Sequence, residues 1–256
     1  MTALAVVAGP GERAQEALAA VRDRYALVDL DDAEAVVVLG GDGSLIDVLH
    51  DLLDRGGDLP AVMGLNRGTT GFLLNEYSPH DLPDRVAAAV ETVLHPLRVD
   101  VESPDGEVTT RLACNEVALR RAGSQVARLA VWVDGEQRLD DLKGDGVMVA
   151  TPAGSTGYSS AAGGPVLPLD SGLLALTPVC ALRPRRWRGA LLPRTSTVRV
   201  EVLEAEKRPV ATSPDQRGLV PTASAVVTED RERRLRLLFD VGRGLEERYV
   251  AEQFEV

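Results

Sequence analysis

The sequence predicts two domains, an α/β domain with a parallel, Rossmann-like sheet and an all-β domain built as a sandwich. Strand-like and helix-like segments alternate up to Pro96, as they do in parallel sheets with crossover helices. Beyond Pro96 short strand-like segments follow one another directly, which is typical of antiparallel sheets. We therefore assign residues 1–96 to the α/β domain and residues 97–240 to the all-β domain. Residues 241–256, with a predicted helix at Leu245–Phe254, are expected to pack back on the first domain.

The N-terminal segments are assigned from their hydrophobic periodicity. Val36–Leu39 is β-branched and uninterrupted, which indicates a strand buried on both faces. Ser44 is a candidate N-cap for the helix that follows. The other predicted elements are strands at Ala3–Ala8 and Pro60–Leu65 and helices at Gly11–Tyr25 and Asp81–Leu94.

The C-terminal segments are short and strand-like. Asp134-Gly135 separates two of them and is a hairpin signal. The tail Leu245–Phe254 has a helical pattern again. The predicted strands are Leu97–Glu102, Val108–Leu112, Glu116–Arg120, Ala127–Val133, Glu136–Leu142, Val147–Ala150, Thr197–Leu203, Ala223–Thr228 and Arg234–Phe239.

Composition limits the partners of this chain of 256 residues. A net charge of −11 argues against broad contact with nucleic acid or anionic lipid, although a small basic pocket remains compatible with it. Two cysteines, Cys114 and Cys180, make no disulfide framework and fit a reducing compartment. Met1–Ala8 lacks the basic region of a signal peptide, and no apolar run approaches the roughly 18 residues of a membrane span. We therefore expect a cytoplasmic protein.

Common metal and nucleotide motifs are missing from the sequence. The histidines at positions 50, 80 and 95 have no cysteine or carboxylate at metal-ligand spacing, so no protein-held metal site is expected. There is no Walker A sequence and no Gly-x-Gly-x-x-Gly after a strand.

The first candidate site is the turn "GGDGS", which follows the buried strand at Val36–Leu39. Glycines allow close approach of the backbone to a ligand, and the N–H groups at the start of the next helix favour anions. Asp42 places a carboxylate in this turn, where a metal or a proton-transfer role would justify it; the alternative is that Asp42 only caps the helix. The residues of the predicted phosphate cradle are Gly40, Gly41, Gly43 and Ser44.

Three further segments are candidates. Asn66–Leu73 is a second glycine-rich turn, expected beside the first, and its Phe72 either belongs to the core, which is favoured, or lines a base-binding slot. Gly144–Pro165 combines small residues with hydroxyls after a strand, which predicts a loop for a flat polar ligand. Asn115-Glu116 offers an amide and a carboxylate that can bond ribose hydroxyls or a base amide, although the dipeptide alone is no signal.

Together these motifs resemble the NAD kinase family. The resemblance runs in order through nearly the whole chain, with "LGGDGS", "GLNRGTTGFL", "CNEVALRRAG", "GDGVMVATPAGSTGYSSAAGGP", "LALTP" and "LLFD…LEERYVAEQF". The glycine-aspartate-glycine turn is shared with diacylglycerol kinases, sphingosine kinases and phosphofructokinases, so it indicates only phosphoryl transfer. The "TPAGSTGYS" segment and Asn115-Glu116 narrow the resemblance to NAD kinases.

The resemblance implies the two-domain fold, the reaction and the site. The reaction transfers the γ-phosphoryl group of ATP to the 2′-hydroxyl of the adenosine ribose of NAD, giving NADP. Magnesium or another divalent cation accompanies ATP, polyphosphate is an open alternative donor, and a homodimer or homotetramer is implied. Asp42 matches the general base. The positions that match NAD-binding residues are Asp42, Gly43, Phe72, Asn115, Glu116, Lys143, Asp145, Ala153, Thr156, Gly157, Tyr158, Ser159, Ser160, Ala161 and Gln216.

The chain departs from the family pattern at four places. Gly157 stands where alanine is usual, and Lys143 stands where many members have arginine. The segment after Pro178 lacks a histidine, and Asp215-Gln216 lacks the glycine of an Asp-Gly-Gln motif, which weakens the match of Gln216. The basic segment "RPRRWRG" at Arg183–Gly189 is either a phosphate clamp or, as we favour, a surface loop or subunit contact.

Two other functions compete with the NAD kinase reaction. A lipid kinase could use the same turn, but the acidic chain shows no basic amphipathic helix for a membrane. A non-catalytic NAD(H)-binding sensor could keep the fold, but binding alone would not need Asp42. The expectation is therefore an enzyme with NAD and ATP as its small-molecule partners and with neither nucleic acid nor membrane as a partner.

Overall fold

The computed structural model describes residues 2–68 and 71–242. The predicted helix at Leu245–Phe254 and its packing lie outside these residues. None of the helices in the described ranges has the length and apolar character needed to cross a membrane. The elements in chain order are β1 (Leu4–Ala8), α1 (Glu12–Arg22), β2 (Ala35–Gly40), α2 (Asp42–Arg55), β3 (Ala61–Asn66), β4 (Asn75–Glu76), α3 (Leu82–Ala88), β5 (Val90–Leu94), β6 (Leu97–Glu102), β7 (Val108–Ala113), β8 (Glu116–Arg121), β9 (Ala127–Val133), β10 (Glu136–Gly144), β11 (Gly146–Ala150), α4 (Tyr158–Ala161), β12 (Leu173–Val179), β13 (Ala190–Pro193), β14 (Val198–Val202), β15 (Val210–Pro214), β16 (Val220–Thr222), β17 (Ser224–Glu229) and β18 (Leu235–Phe239).

These elements form two compact units, one made of residues 1–94 with the segment from Arg233, the other of residues 95–232. The first unit holds a sheet of order β1-β2-β3-β18-β5, with β4 paired to β3. Its strands run parallel except for β5, which is antiparallel to β18. All residues of β2 are buried, as its uninterrupted apolar sequence predicts. On α1, the apolar stripe that includes Ala14, Leu18 and Val21 packs into the same core cluster as β2.

Three predictions for this unit are wrong. The helix predicted over Asp81–Leu94 ends at Ala88, and Val90–Leu94 is strand β5, because its β-branched residues pair along β18. The strand predicted at Arg234–Phe239 exists but belongs to this sheet rather than to the all-β region, since a short apolar run does not specify which sheet will bury it. Helix α2 starts at Asp42 with Gly41 at its N-cap, three residues before the start predicted with Ser44 as the N-cap.

The second unit is a sandwich of two antiparallel sheets. Their strand orders are β10-β9-β14-β17-β6-β7 and β13-β12-β11-β8-β15-β16. Alternate residues of both sheets, such as Val99 and Val101 from one and Val117 and Leu119 from the other, form a single buried cluster. Strands β12, β13, β15 and β16 were not predicted, because their sequences contain prolines or lack clear alternation.

The Asp134-Gly135 hairpin is confirmed. It joins β9 and β10, which pair antiparallel. Asp134 and Gly135 have φ values of 54° and 83°, as a type I′ turn requires.

Candidate nucleotide-binding and catalytic residues

In the first unit, Asp42 follows the buried strand β2 and is the first residue of α2. Its Oδ2 accepts the N–H of Phe72 at 2.9 Å, and its Oδ1 accepts the N–H of Leu73 at 3.2 Å. These bonds orient the carboxylate at the carboxyl end of a parallel sheet, where ligands of such sheets bind. Since Gly41 occupies the N-cap, the interpretation of Asp42 as the capping residue is wrong.

The two glycine-rich turns of this unit lie against each other, as the sequence predicts. The N–H of Arg67 donates to the carbonyl oxygen of Gly40 at 2.8 Å. A Cβ on Gly40 would lie 2.6 Å from Ser44 Oγ, so the turn can close only with glycine there. At Gly41 and Gly43, by contrast, a Cβ would meet no described atom within 4 Å, which leaves the outer side of the turn open.

In the second unit, both the N–H groups and the carbonyl oxygens of the Cys114–Glu116 backbone are hydrogen-bonded. The carboxylate of Asp215 accepts the N–H groups of Cys114, Asn115 and Glu116 at 2.5, 2.8 and 2.9 Å. On the acceptor side, Thr151 donates its hydroxyl to Cys114 O at 2.8 Å and its N–H to Asn115 O at 2.8 Å. The start of β8 is therefore fixed by groups from two other segments of the unit.

Two side chains of this segment, those of Asn115 and Glu116, carry polar groups that are held in buried surroundings. Asn115 Oδ1 is buried and has no hydrogen-bond partner among the described residues. Such an orphaned acceptor costs about 1–3 kcal/mol, which a donor on a ligand would recover. Glu116 is 3% exposed. Its burial raises the pKa of its carboxyl from 4.5 to about 7, helped by the charge of Asp215 and opposed by Gln216 and Arg120.

Gly154 connects the loop after β11 to Asn115. A Cβ on Gly154 would lie 2.2 Å from the carbonyl oxygen of Asn115, an approach that no other residue type permits. The N–H of Gly154 donates to Thr151 Oγ1 at 3.1 Å. The loop and the Asn-Glu pair, which are separate in sequence, therefore lie in direct contact.

This loop contains two short helical turns, Ala153–Thr156 and Tyr158–Ala161. Ser159 is fully buried, and its hydroxyl lies 3.0 Å from Thr177 Oγ1. The prediction that Ser159 offers a hydroxyl to NAD does not fit this position, because the hydroxyl attaches the loop to β12. Ala153 is buried as well, whereas some surface remains on Thr156, Gly157, Tyr158, Ser160 and Ala161.

A cavity of about 360 Å³ lies beside Tyr158 in the same unit. The Arg120 guanidinium is 5.6 Å from the centroid of the Tyr158 ring, and Arg121 Nε is 2.5 Å from Asp145 Oδ1. The cavity brings two predicted residues, Asp145 and Tyr158, together with two arginines that the sequence did not single out. Its lining residues are Arg120, Arg121, Ala122, Asp145, Tyr158, Val179, Ala211 and Leu219.

The remaining predicted residues are less clearly placed for a ligand. Phe72 is 8% exposed, which favours the core interpretation of its side chain. Lys143 Nζ forms an ion pair with Asp141 at 3.0 Å. Gln216 is exposed and its side chain hydrogen-bonds to the Glu116 carboxyl.

The basic segment has the character of a surface loop. Trp187 packs against the sandwich core, while Arg183, Arg185 and Arg186 are exposed. This arrangement supports the interpretation favoured from the sequence.

Sequence reasoning did not single out Asp215, and it included Thr151 and Gly154 only as members of the candidate loop Gly144–Pro165. In the sequence, Asp215 stands out only as the neighbour of Gln216 in an incomplete Asp-Gly-Gln motif. Its role depends on contacts with residues about a hundred positions away, which no local pattern shows.

Comparison with known proteins places these observations in a family. A family model described as the ATP-NAD kinase C-terminal domain matches residues 114–228. An NAD kinase of Cereibacter sphaeroides (strain ATCC 17025 / ATH 2.4.3) is 49% identical over 97% of this chain and 96% of its own length. An NAD kinase of Zymomonas mobilis is 44% identical over 99% of this chain and 98% of its own length.

Two solved structures share the fold. Yeast NADH kinase complexed with NADH superposes with a TM-score of 0.82 at 19% identity, covering 99% of this chain and 87% of that one. An NAD kinase from Archaeoglobus fulgidus in complex with ATP gives a TM-score of 0.76 at 22% identity, covering 97% and 98%.

The fold, the glycine-rich turn and these relatives define a nucleotide-dependent phosphotransferase. The chain belongs to the NAD kinase family. It is accordingly an enzyme that phosphorylates NAD to NADP, and the resemblance stated from its motifs is confirmed.

Proposed function

We propose that the enzyme transfers the γ-phosphoryl group of ATP to the 2′-hydroxyl of the adenosine ribose of NAD, with Asp42 as general base. The observation that carries this proposal is the carboxylate of Asp42, held by the N–H groups of Phe72 and Leu73 at the start of α2. The ribose oxygen attacks the γ-phosphorus, its proton passes to Asp42, and ADP leaves. A general base contributes about 10²–10⁴-fold, so positioning and charge stabilisation supply the rest.

The phosphate groups are proposed to lie at the turn formed by Gly40, Gly41, Gly43 and Ser44. Its open outer side at Gly41 and Gly43 and the N–H groups at the start of α2 support this role. Magnesium or another divalent cation is expected to arrive with ATP as part of the substrate. The turn fits this expectation, because it contributes one carboxylate, Asp42, rather than a set of metal ligands.

The dinucleotide is proposed to bind the Asn-Glu pair and the adjacent loop. The orphaned Oδ1 of Asn115 and the buried Glu116 carboxyl can accept hydrogen bonds from ribose hydroxyls or a base amide. Asp145 and Tyr158 line a cavity large enough for part of a nucleotide, which supports their proposed contacts with NAD. A cytoplasmic location is proposed from the cysteine content and the character of the N-terminal segment, and a homodimer or homotetramer is proposed from the family resemblance alone.

The test is NADP formation from NAD and MgATP, measured with an NADP-specific dehydrogenase. Parallel reactions replace ATP by polyphosphate, because the two donors share the chemistry of a phosphoanhydride. Steady NADP formation with ATP is expected. NAD binding by calorimetry without any turnover would favour the NAD(H) sensor instead, and phosphorylation of diacylglycerol without NADP formation would favour a lipid kinase.

A further inference from the structure

We propose that Asp215 is a positioning residue of the dinucleotide site, setting the side chains of Asn115 and Glu116 for NAD before NAD binds. The proposal rests on the NAD-binding role proposed above for that pair. It adds a residue whose own side chain acts through the backbone of the pair.

The geometry that supports this proposal is a clamp on three successive residues. Both oxygens of the Asp215 carboxylate are used, Oδ2 for the N–H of Cys114 and Oδ1 for the N–H groups of Asn115 and Glu116. The N–H of Asp215 in turn donates to Glu116 O at 2.9 Å. Charge-assisted bonds of this kind are stronger than neutral ones and fix direction.

The clamp also determines which groups remain for a ligand. The backbone N–H groups of Cys114–Glu116 all donate to Asp215, and the backbone carbonyl oxygens of this segment accept from Thr151 and Asp215. The backbone of the segment therefore has little freedom to rotate and turn its side chains away. Asn115 Oδ1 stays buried without a partner among the described residues, which is a cost that a free segment would avoid by rotating. Asp215 itself has a φ of 45°, a conformation that L-residues rarely adopt.

Asp215 adds a charge effect to this geometric one. Burial raises the pKa of the Glu116 carboxyl most, and the charge of Asp215 raises it further. The hydrogen bond from Gln216 and the Arg120 guanidinium lower it. An ionised carboxylate accepts hydrogen bonds more strongly than a protonated one. NAD affinity should therefore increase as Glu116 ionises near pH 7, and removal of the Asp215 charge should move that increase to lower pH.

The experiment compares Asp215→Asn with a matched control, Asp134→Asn. Asp134 also has a positive φ, 54°, and also accepts a backbone N–H, that of Thr197 at 2.8 Å, but it lies in the β9–β10 hairpin. For Asp215→Asn we expect the NAD KM to increase roughly tenfold or more, with the MgATP KM within about twofold of wild type. The pH midpoint of NAD affinity should fall. For Asp134→Asn the NAD KM and the pH midpoint of NAD affinity should both stay at the wild-type values.

Equal NAD constants and equal pH midpoints in the two variants and the wild type would overturn the proposal. Inactivity of the wild-type enzyme toward NAD would instead refute the proposed function, so the two failures are distinguishable. Should Asp215→Asn fail to fold, amide hydrogen exchange of the ligand-free wild type decides. Protection of the N–H groups of Cys114, Asn115 and Glu116 supports the clamp, and free exchange at all three contradicts it.

Discussion

Glu116 has an ionisable carboxyl and is also buried, and burial disfavours the ionised form. The residue is 3% exposed, so its ionised carboxyl loses most of its hydration. Its pKa is therefore raised from 4.5 to about 7, by burial first and by the charge of Asp215 second. Between pH 4.5 and about pH 7, the Glu116 carboxyl is protonated in the folded chain and ionised in the unfolded chain. Rising pH consequently lowers the free energy of unfolding across this window.

The first prediction concerns this window. The contribution of Glu116 to the free energy of unfolding in urea, taken as the difference between the wild type and Glu116→Gln, should decrease by roughly 3 kcal/mol between pH 4.5 and pH 7, the range over which this carboxyl titrates in the two states. Glu116→Gln cannot ionise and should lose that decrease, while its KM for NAD increases through loss of the charged acceptor. Parallel stability curves for the two proteins over this range would contradict the assignment of the pKa.

The second prediction concerns Asp42. Asp42→Asn has nearly the same size but cannot serve as a comparable base, so turnover should fall by roughly 10² or more. One of the bonds from Phe72 and Leu73 is lost as well, because an amide has a single acceptor oxygen; this loss costs about 1 kcal/mol of stability. NAD affinity should change little. The measurement is NADP formation rate beside NAD affinity, with exposed Asp51 of the same helix mutated to Asn as the control. Turnover of Asp42→Asn within about threefold of wild type would remove Asp42 from the mechanism.

At the scale of elements, the loop after β11 depends on how closely it approaches Asn115. Gly154 and Gly157 lie three positions apart in it and differ sharply in their surroundings. A Cβ on Gly154 would lie 2.2 Å from the Asn115 carbonyl oxygen, whereas the nearest atom to a Cβ on Gly157 would be Gly154 O at 3.7 Å. The two glycines are therefore a matched pair for a test of the loop.

The third prediction uses this pair. Gly154→Ala should push the loop from Asn115, raise the NAD KM at least tenfold and reduce stability by about 1–3 kcal/mol, the range of a steric overlap in a packed site. Gly157→Ala restores the usual family residue and should leave both quantities near wild type. Gly157→Val should impair NAD binding alone, through its bulk beside the ligand. Calorimetry measures NAD binding, and thermal melting measures stability. Normal NAD binding by Gly157→Val would show that the loop after β11 is not the wall of the pocket.

Elements with a strong local pattern could be predicted from the sequence, and those determined by distant partners could not. The uninterrupted Val36–Leu39 run and the Asp134-Gly135 turn each specify their own structure, and both are confirmed. Val90–Leu94 follows an alanine-rich helix, and only its pairing with β18 makes it a strand. The site divides in the same way. The glycine-rich turn predicted Asp42 locally, and Asn115-Glu116 was predicted only through the resemblance of the whole chain to a family. The contacts of Asp215 depend on the tertiary fold, which neither of these shows.

At the scale of the whole molecule, the sandwich is inserted into a hairpin of the first unit. Strands β5 and β18 pair antiparallel, with Leu94 opposite Leu235. Of the residues between these two strands in sequence, 95–232 belong to the second unit, and only the two residues directly before β18 belong to the first. The ends of the inserted unit are also adjacent, because the N–H of Asp230 donates to Pro96 O at 2.8 Å. Each unit therefore has a core of its own and closes on itself.

The fourth prediction follows from this topology. A fragment of residues 95–232 should fold alone, with a β-type circular dichroism spectrum and a cooperative thermal transition, because its buried cluster comes entirely from its own two sheets. A fragment of residues 1–94 should not, because β18 lies between β3 and β5 in its sheet and would be missing. Joining Leu94 to Leu235 through an Asn-Gly turn should restore a cooperative transition, since a two-residue loop suits the antiparallel pair. If residues 1–94 alone melted as cooperatively as the joined protein, β18 would be dispensable to this sheet; if residues 95–232 showed no transition, the sandwich would depend on the rest of the chain for its stability.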